Sequence, residues 1–182
     1  MSQQVKYSIS TFGGDFFDFE HPEDYSYEIT EIAHALSNIC RYGGHSNKFY
    51  SVAEHSVLVS RVVPSSLALC GLLHDASEAF VGDMPTPLKA LCPEYRLIED
   101  RVQECIALSY DLPYPFPPAI KFADKSVYQA ERLQITSVKD EMWYTDIPPA
   151  DVMVTGMQPK DAAAFFMARY NQLTQYELPL VA

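Results

Sequence analysis

LALCGLLHDASEAF, residues 67–80, is apolar on nearly every side until His74, Asp75 and Glu78 interrupt it. Such a run reads as a central buried helix, capped by Ser65-Ser66 and closed by Gly82. Burying Asp or Glu without a partner costs several kcal/mol, so a His-Asp pair followed by a glutamate on this helix needs something that accepts all three. A metal ion does so. On a helix His74 and Glu78 lie one turn apart, and Asp75 is displaced from its neighbour by about 100 degrees, close enough for both adjacent side chains to reach one ion. A second histidine and a second carboxylate from other helices would complete a mixed nitrogen and oxygen set. His55 and Asp124 are the candidates.

Working outward from that stretch, helical periods recur on both sides. Ile29, Ile32, Ala33, Leu36, Ile39 and Cys40 form one stripe, with the turn Gly43-Gly44 expected to end its helix. Ser51 and Glu54 stand as S-x-x-E, a capping box that starts a helix through Val57, Leu58 and Val62 and stops before Pro64. His55 then falls in a first helical turn. Beyond Gly82, the prolines of Asp83-Met84-Pro85-Thr86-Pro87 predict a tight surface loop. Tyr95–Tyr110 carries Ile98, Val102, Cys105 and Ile106 on one side, and the Pro113–Pro118 run separates it from a helix over Ala119–Ile135 that contains Asp124. A loop with Pro148-Pro149 precedes a last helix from Lys160 to Leu173. Residues before Ile29, and Thr145–Gln158, show no clear period. With 7 glycines and almost no strict alternation, a β-sandwich or barrel is disfavoured and an all-α fold is expected.

Composition bounds the rest. At 182 residues and 48% hydrophobic, the chain suffices for one substantial core, so residues 1–182 are expected to form a single domain. Its 24 acidic against 13 basic residues, net −11, argue against a surface that tracks a nucleic-acid polymer. Met1–Ser10 has no apolar core of a secretory signal, and Leu67–Leu73 is far short of the ~20 residues that cross a bilayer, so a cytoplasmic location without membrane contact is expected. Cys40, Cys70, Cys92 and Cys105 make no C-x-x-C knuckle and read as free thiols. Trp143 and the tyrosines read as core or interface residues rather than stacking platforms.

The order H…HD…D on separate helices resembles that of the HD-domain phosphohydrolases, over roughly residues 29–132. The densest part, HDASEAFVGDMPTPLK at residues 74–89, is similar to the small bacterial 5′-deoxynucleotidases and the viral dATP triphosphohydrolases, and SVAEHS (51–56) and KFAD (121–124) follow the same order. The resemblance implies an HD-domain helical bundle with His55, His74, Asp75 and Asp124 as metal quartet. Two imidazoles and two carboxylates suit one divalent Mn, Fe, Co, Ni or Zn better than Mg or Ca. An octahedral ion so held keeps two positions, for water and a phosphate oxygen.

The implied reaction is metal-assisted hydrolysis of the 5′ phosphoester of a 2′-deoxynucleotide. It releases a deoxynucleoside with phosphate from a monophosphate, or with triphosphate from dATP or another triphosphate. By the same likeness Glu78 handles the proton and Asp83 orients the water or the leaving 5′ oxygen. Phosphate needs cations, and Arg41, Lys89 and Lys125 are the candidates. Arg41-Tyr42 resembles the Arg-Trp pair upstream of the first metal histidine in the deoxynucleotidases, Arg for phosphate and the aromatic for sugar or base, with Tyr here in place of Trp. Relatives of this type are homo-oligomers, so one is expected here. Two other readings stand beside this one: a non-catalytic nucleotide-binding HD module, and an HD-type di-iron oxygenase that would need His34 or His45 for a second iron. The (p)ppGpp hydrolases carry an Asp after the glutamate where this chain has Ala79.

Overall fold

The computed structural model describes residues 6–137 and 146–175, and helix dominates them. In chain order come a hairpin of β1 (Ser8–Ser10) and β2 (Phe16–Asp18), then α1 (Ile29–Asn38), α2 (Val52–Val62), α3 (Ala68–Leu73) and α4 (Glu78–Val81). They are followed by α5 (Thr86–Lys89), α6 (Pro93–Ser109), α7 (Pro118–Ile135) and α8 (Pro159–Thr174). Trp143 lies outside the described residues. Helix α2 is the axis of the packing: Ser51–Ser60 is buried throughout, and α1, α3, α7 and α8 all pack against it. Phe17, Ile32, Leu36, Leu72, Ile106 and Phe166 belong to one apolar cluster, while Val59, Val63, Ile120, Val127 and Ile135 join α2 to α7 in a second.

The N-terminal segment, which had no period, pairs antiparallel with Ile9 opposite Phe17. Three residues per strand are too few to show an alternation. Tertiary packing holds the hairpin instead: Phe17 is fully buried, 4.4 Å from the ring of Phe80 and 5.3 Å from that of Tyr25.

Residues 67–80 do not form the single helix expected of them. Ser65–Leu67 is a 3-10 turn with no side-chain cap, α3 stops at Leu73, and the backbone tightens to three-residue bonding. Ala76 N donates to Leu73 O at 3.1 Å, Glu78 N to Asp75 O at 3.0 Å and Phe80 N to Ser77 O at 2.9 Å. Gln103 of α6 staples this break, its Nε2 donating to Leu73 O and its Oε1 accepting from Ser77 N, both at 2.9 Å. A segment buried on every side gives no periodic sign of such a change. Gly82 closes α4 as expected, at φ +82 with its N–H on Glu78 O at 2.8 Å.

Two further boundaries differ. Helix α1 ends at Asn38, before the Gly43-Gly44 turn, because Cys40 bridges to Ser51 and the Arg41 N–H bonds Tyr50 O at 2.9 Å. The proline loop is shorter than expected, since Pro85 leads straight into α5. The bounds of α2, α6, α7 and α8 follow the sequence periods within a few residues. All four cysteines are free.

Half of the capping box forms. Ser51 Oγ accepts from Glu54 N at 3.2 Å, but the Glu54 carboxylate turns away to the segment ahead of α8. It accepts from the N–H groups of Thr155 (2.7 Å), Gly156 (3.1 Å) and Met157 (2.7 Å). Gly156 lets this segment lie close against Lys48 and Phe49: at φ +74, a Cβ there would meet Phe49 O at 2.9 Å. Glu54→Ala leaves three N–H groups without their acceptor and is expected to destabilise the fold by about 3 kcal/mol, read from the urea midpoint.

Candidate metal and phosphate site

His55 comes from the first turn of α2, His74 and Asp75 from the break between α3 and α4, and Asp124 from the second turn of α7. Ligand atoms of His55, His74 and Asp124 lie within 4.8 Å of one another, a grouping that could hold a metal ion. Asp75 adjoins it, with Oδ2 3.1 Å from His74 Nε2 and 3.6 Å from His55 Nε2. His55 Nε2 is also 3.3 Å from Asp124 Oδ1. On the far side of each ring Nδ1 is committed, in His55 to Glu131 Oε1 at 2.5 Å and in His74 to Gly71 O at 2.9 Å. Both Nε2 atoms are buried, face the carboxylates and lack an aligned hydrogen-bond partner. Metal-ligating histidines are arranged in this way, one nitrogen fixed by an acceptor and the other offered to the ion. The residues therefore fit the metal that the motif implies.

The charges interlock. Burial opposes ionisation of Asp75, and His74, His55 and Arg41 outweigh it, holding the carboxyl well below its usual range. Asp124 is likewise lowered, burial being overcome by His55. Burial and the Arg41 charge disfavour the His55 imidazolium, but Glu131 and Asp124 outweigh them, and the ring is pushed up to about 9.

Glu131 escaped the reading of the sequence. It is fully buried on α7, and besides His55 it accepts from Tyr50 OH (2.7 Å), Tyr42 OH (2.8 Å) and Arg41 Nη2 (3.3 Å). Burial would raise its carboxyl, but Arg41 and His55 pull it far below the ordinary range. The one sequence signal was its spacing, seven residues beyond Asp124 and so on the same face of one helix.

Glu78 is buried at the head of α4, with Oε2 unbonded and Oε1 3.5 Å from Lys89 Nζ. Burial, reinforced by Asp75 and Asp83, pushes its carboxyl well above the usual value. Asp83, half-buried in the loop after α4, is also raised, chiefly by burial. Lys89 is shared between Glu78 and Glu99, the latter at 2.5 Å. Arg41 lies 3.7 Å from Asp75 through Nη1. Tyr42 stands at φ 59, its hydroxyl taken by Glu131 and its ring stacked on Tyr128 at 5.9 Å. Lys125 is exposed on α7, and its place next to Asp124 turns it about 100 degrees from that residue. His34 stacks on Phe12 at 3.6 Å and His45 is exposed after the glycine turn; among the described residues neither joins the metal group.

A cavity of about 530 Å³ opens beside His74 and Asp75, walled by Lys89, Arg96, Tyr114 and Phe116 among others. The Tyr114 hydroxyl donates to Asp100, and the two aromatic rings meet edge to face at 5.5 Å.

The family model described as 5′-deoxynucleotidase YfbR-like matches residues 19–142. The chain belongs to this family. The match takes in all four H…HD…D positions and Glu131, and the helical bundle described above is that of the family's HD domain. The uncharacterized protein YfdR of Escherichia coli K12 is 37% identical over 170 residues, 92% of this chain and 96% of its own length. An uncharacterized protein of Rhodobacter capsulatus is 33% identical over 180 residues, 88% of this chain and 92% of its own. The 5′-deoxynucleotidase YfbR of Escherichia coli O1:K1 / APEC is 29% identical over 131 residues, 68% of this chain and 56% of that protein. Among the described residues, no helix is long and apolar enough to cross a membrane.

Proposed function

We propose that the chain is a metal-dependent hydrolase of 2′-deoxynucleotides that cleaves the 5′ phosphoester and releases the deoxynucleoside. The observation that carries this reading is the pair of buried, unbonded Nε2 atoms of His55 and His74 converging with Asp75 and Asp124 at the edge of a cavity. One divalent Mn, Fe, Co, Ni or Zn is the ion this donor set suits, with His55, His74, Asp75 and Asp124 as its holders. When bound, such an ion draws charge from a phosphate oxygen and acidifies water.

The chain's own groups do the rest. Arg41, anchored by Glu131 and near Asp75, faces the phosphate, and Lys89 supplies a second positive charge beside Glu78. Glu78, whose carboxyl burial raises well above its usual value, delivers a proton to the leaving 5′ oxygen, and Asp83 orients that oxygen or the attacking water. The nucleoside extends into the cavity against Phe116 and Tyr114.

Phosphate and triphosphate release from each deoxy- and ribonucleoside mono-, di- and triphosphate, with Mn²⁺ or Co²⁺ added, tests the proposal and settles which phosphate leaves. Deoxynucleoside among the products supports it; a metal-loaded protein that binds nucleotides and releases nothing from any of them supports the binding-module reading instead. Phe116→Ala is expected to raise KM about tenfold with kcat little changed, because base stacking on an aromatic is worth about 1–3 kcal/mol and is uniform between ground and transition states.

A further inference from the structure

We infer that Glu131 is the positioning residue of this site, one buried carboxylate that orients the metal ligand His55 with one oxygen and the phosphate-facing Arg41 with the other. The inference rests on the metal-dependent hydrolysis proposed above. Oε1 takes His55 Nδ1 at 2.5 Å and Tyr50 OH at 2.7 Å; Oε2 takes Tyr42 OH at 2.8 Å and Arg41 Nη2 at 3.3 Å. The donors arise from α2 and from the connection between α1 and α2, far along the chain from α7.

Packing alone does not account for such a residue. Its side chain is fully buried, where an aliphatic side chain of similar volume would avoid desolvating a charge. What the carboxylate adds is direction. With Nδ1 tied to Oε1, Nε2 is the nitrogen that the His55 ring presents to Asp75 and Asp124. With Nη2 tied to Oε2, the other end of the guanidinium is aimed at Asp75, 3.7 Å away. Glu131, Arg41, Asp75 and His55 thus close a ring of polar contacts, and in that ring Glu131 sets the spacing between metal ligand and phosphate cation. Tyr50 and Tyr42 hold its two oxygens against rotation, one each.

Glu131→Gln keeps the volume and an amide oxygen for Nδ1, but gives up the charge that Arg41 and His55 share. Three readouts test the inference: Co²⁺ affinity by chelator competition, the His55 ring signals in ¹⁵N NMR of the Zn²⁺-loaded protein, and KM and kcat taken separately at saturating metal. The expected result is a 10- to 100-fold loss of Co²⁺ affinity, a shifted His55 Nδ1 resonance, and a KM that rises more than kcat falls. If far-UV circular dichroism shows that Glu131→Gln does not fold, Tyr50→Phe takes its place, removing one of the two donors on Oε1, with about a threefold loss of Co²⁺ affinity expected. A folded variant that matches the wild type in affinity, ring signals and KM overturns the inference while the proposed hydrolysis stands. A wild-type chain that takes up neither Co²⁺ nor Zn²⁺ overturns both.

Discussion

Asp124→Ala is expected to abolish metal uptake and cut turnover by about 10³-fold or more, with the fold intact. The ion's stabilisation of charge in the transition state is worth several kcal/mol, and each 1.36 kcal/mol is a factor of ten in rate. The fold survives because Asp124 is partly exposed, its side chain 36% accessible, so alanine there opens no core cavity. His55 keeps its stronger partner, Glu131 at 2.5 Å. A thermal-shift titration separates the two effects: metal at 100 times its dissociation constant stabilises the wild type by about 2.7 kcal/mol, and this increment disappears in the variant. A variant that still gains stability from Co²⁺ and turns over at the wild-type rate would show that the quartet is misassigned.

Glu78→Gln gives the complementary pattern, with metal affinity kept and kcat lowered by about 10²- to 10⁴-fold, the usual contribution of a positioned acid or base. The pH profile identifies the group. Burial first, then the charges of Asp75 and Asp83, raise the Glu78 carboxyl well above its ordinary value, against the opposing pull of Lys89 and Arg41. A raised carboxyl holds its proton on the acid side and loses it as pH climbs, so turnover that needs the proton declines on the alkaline side. Glutamine has no such proton to lose, and that limb should vanish from the residual activity. Equal kcat and the same profile in both proteins would exclude Glu78 from proton transfer.

How much of this was legible before the structure depended on where each residue's partners lie. His74 and Asp75 stood out as polar residues on an apolar run, and the resemblance to the HD-domain pattern is what joined His55 and Asp124 to them as a quartet; the structure brings the imidazoles and Asp124 within 4.8 Å with Asp75 alongside. Glu131 did not stand out, since a lone glutamate on a helix with polar residues around it reads as solvated. Lys125, expected as one of the few cations at the mouth of the site, is exposed on α7. Glu54 was seen as half of a capping box; that its carboxylate would hold Thr155 to Met157 depended on a segment a hundred residues away.

By itself the sequence determined the helical class, the bounds of α2, α6, α7 and α8, the Ser51 cap and the Gly82 stop, all of which depend on groups within a few residues of each other. Only the tertiary structure decided the break at His74 to Ser77, the aromatic seating of the β-hairpin and the burial of Glu131. The physical reason is common to the three. Gln103 must reach the freed backbone of α3 and α4, Phe80 must meet Phe17, and four donors must converge on one carboxylate, so each is set by partners that folding alone brings near.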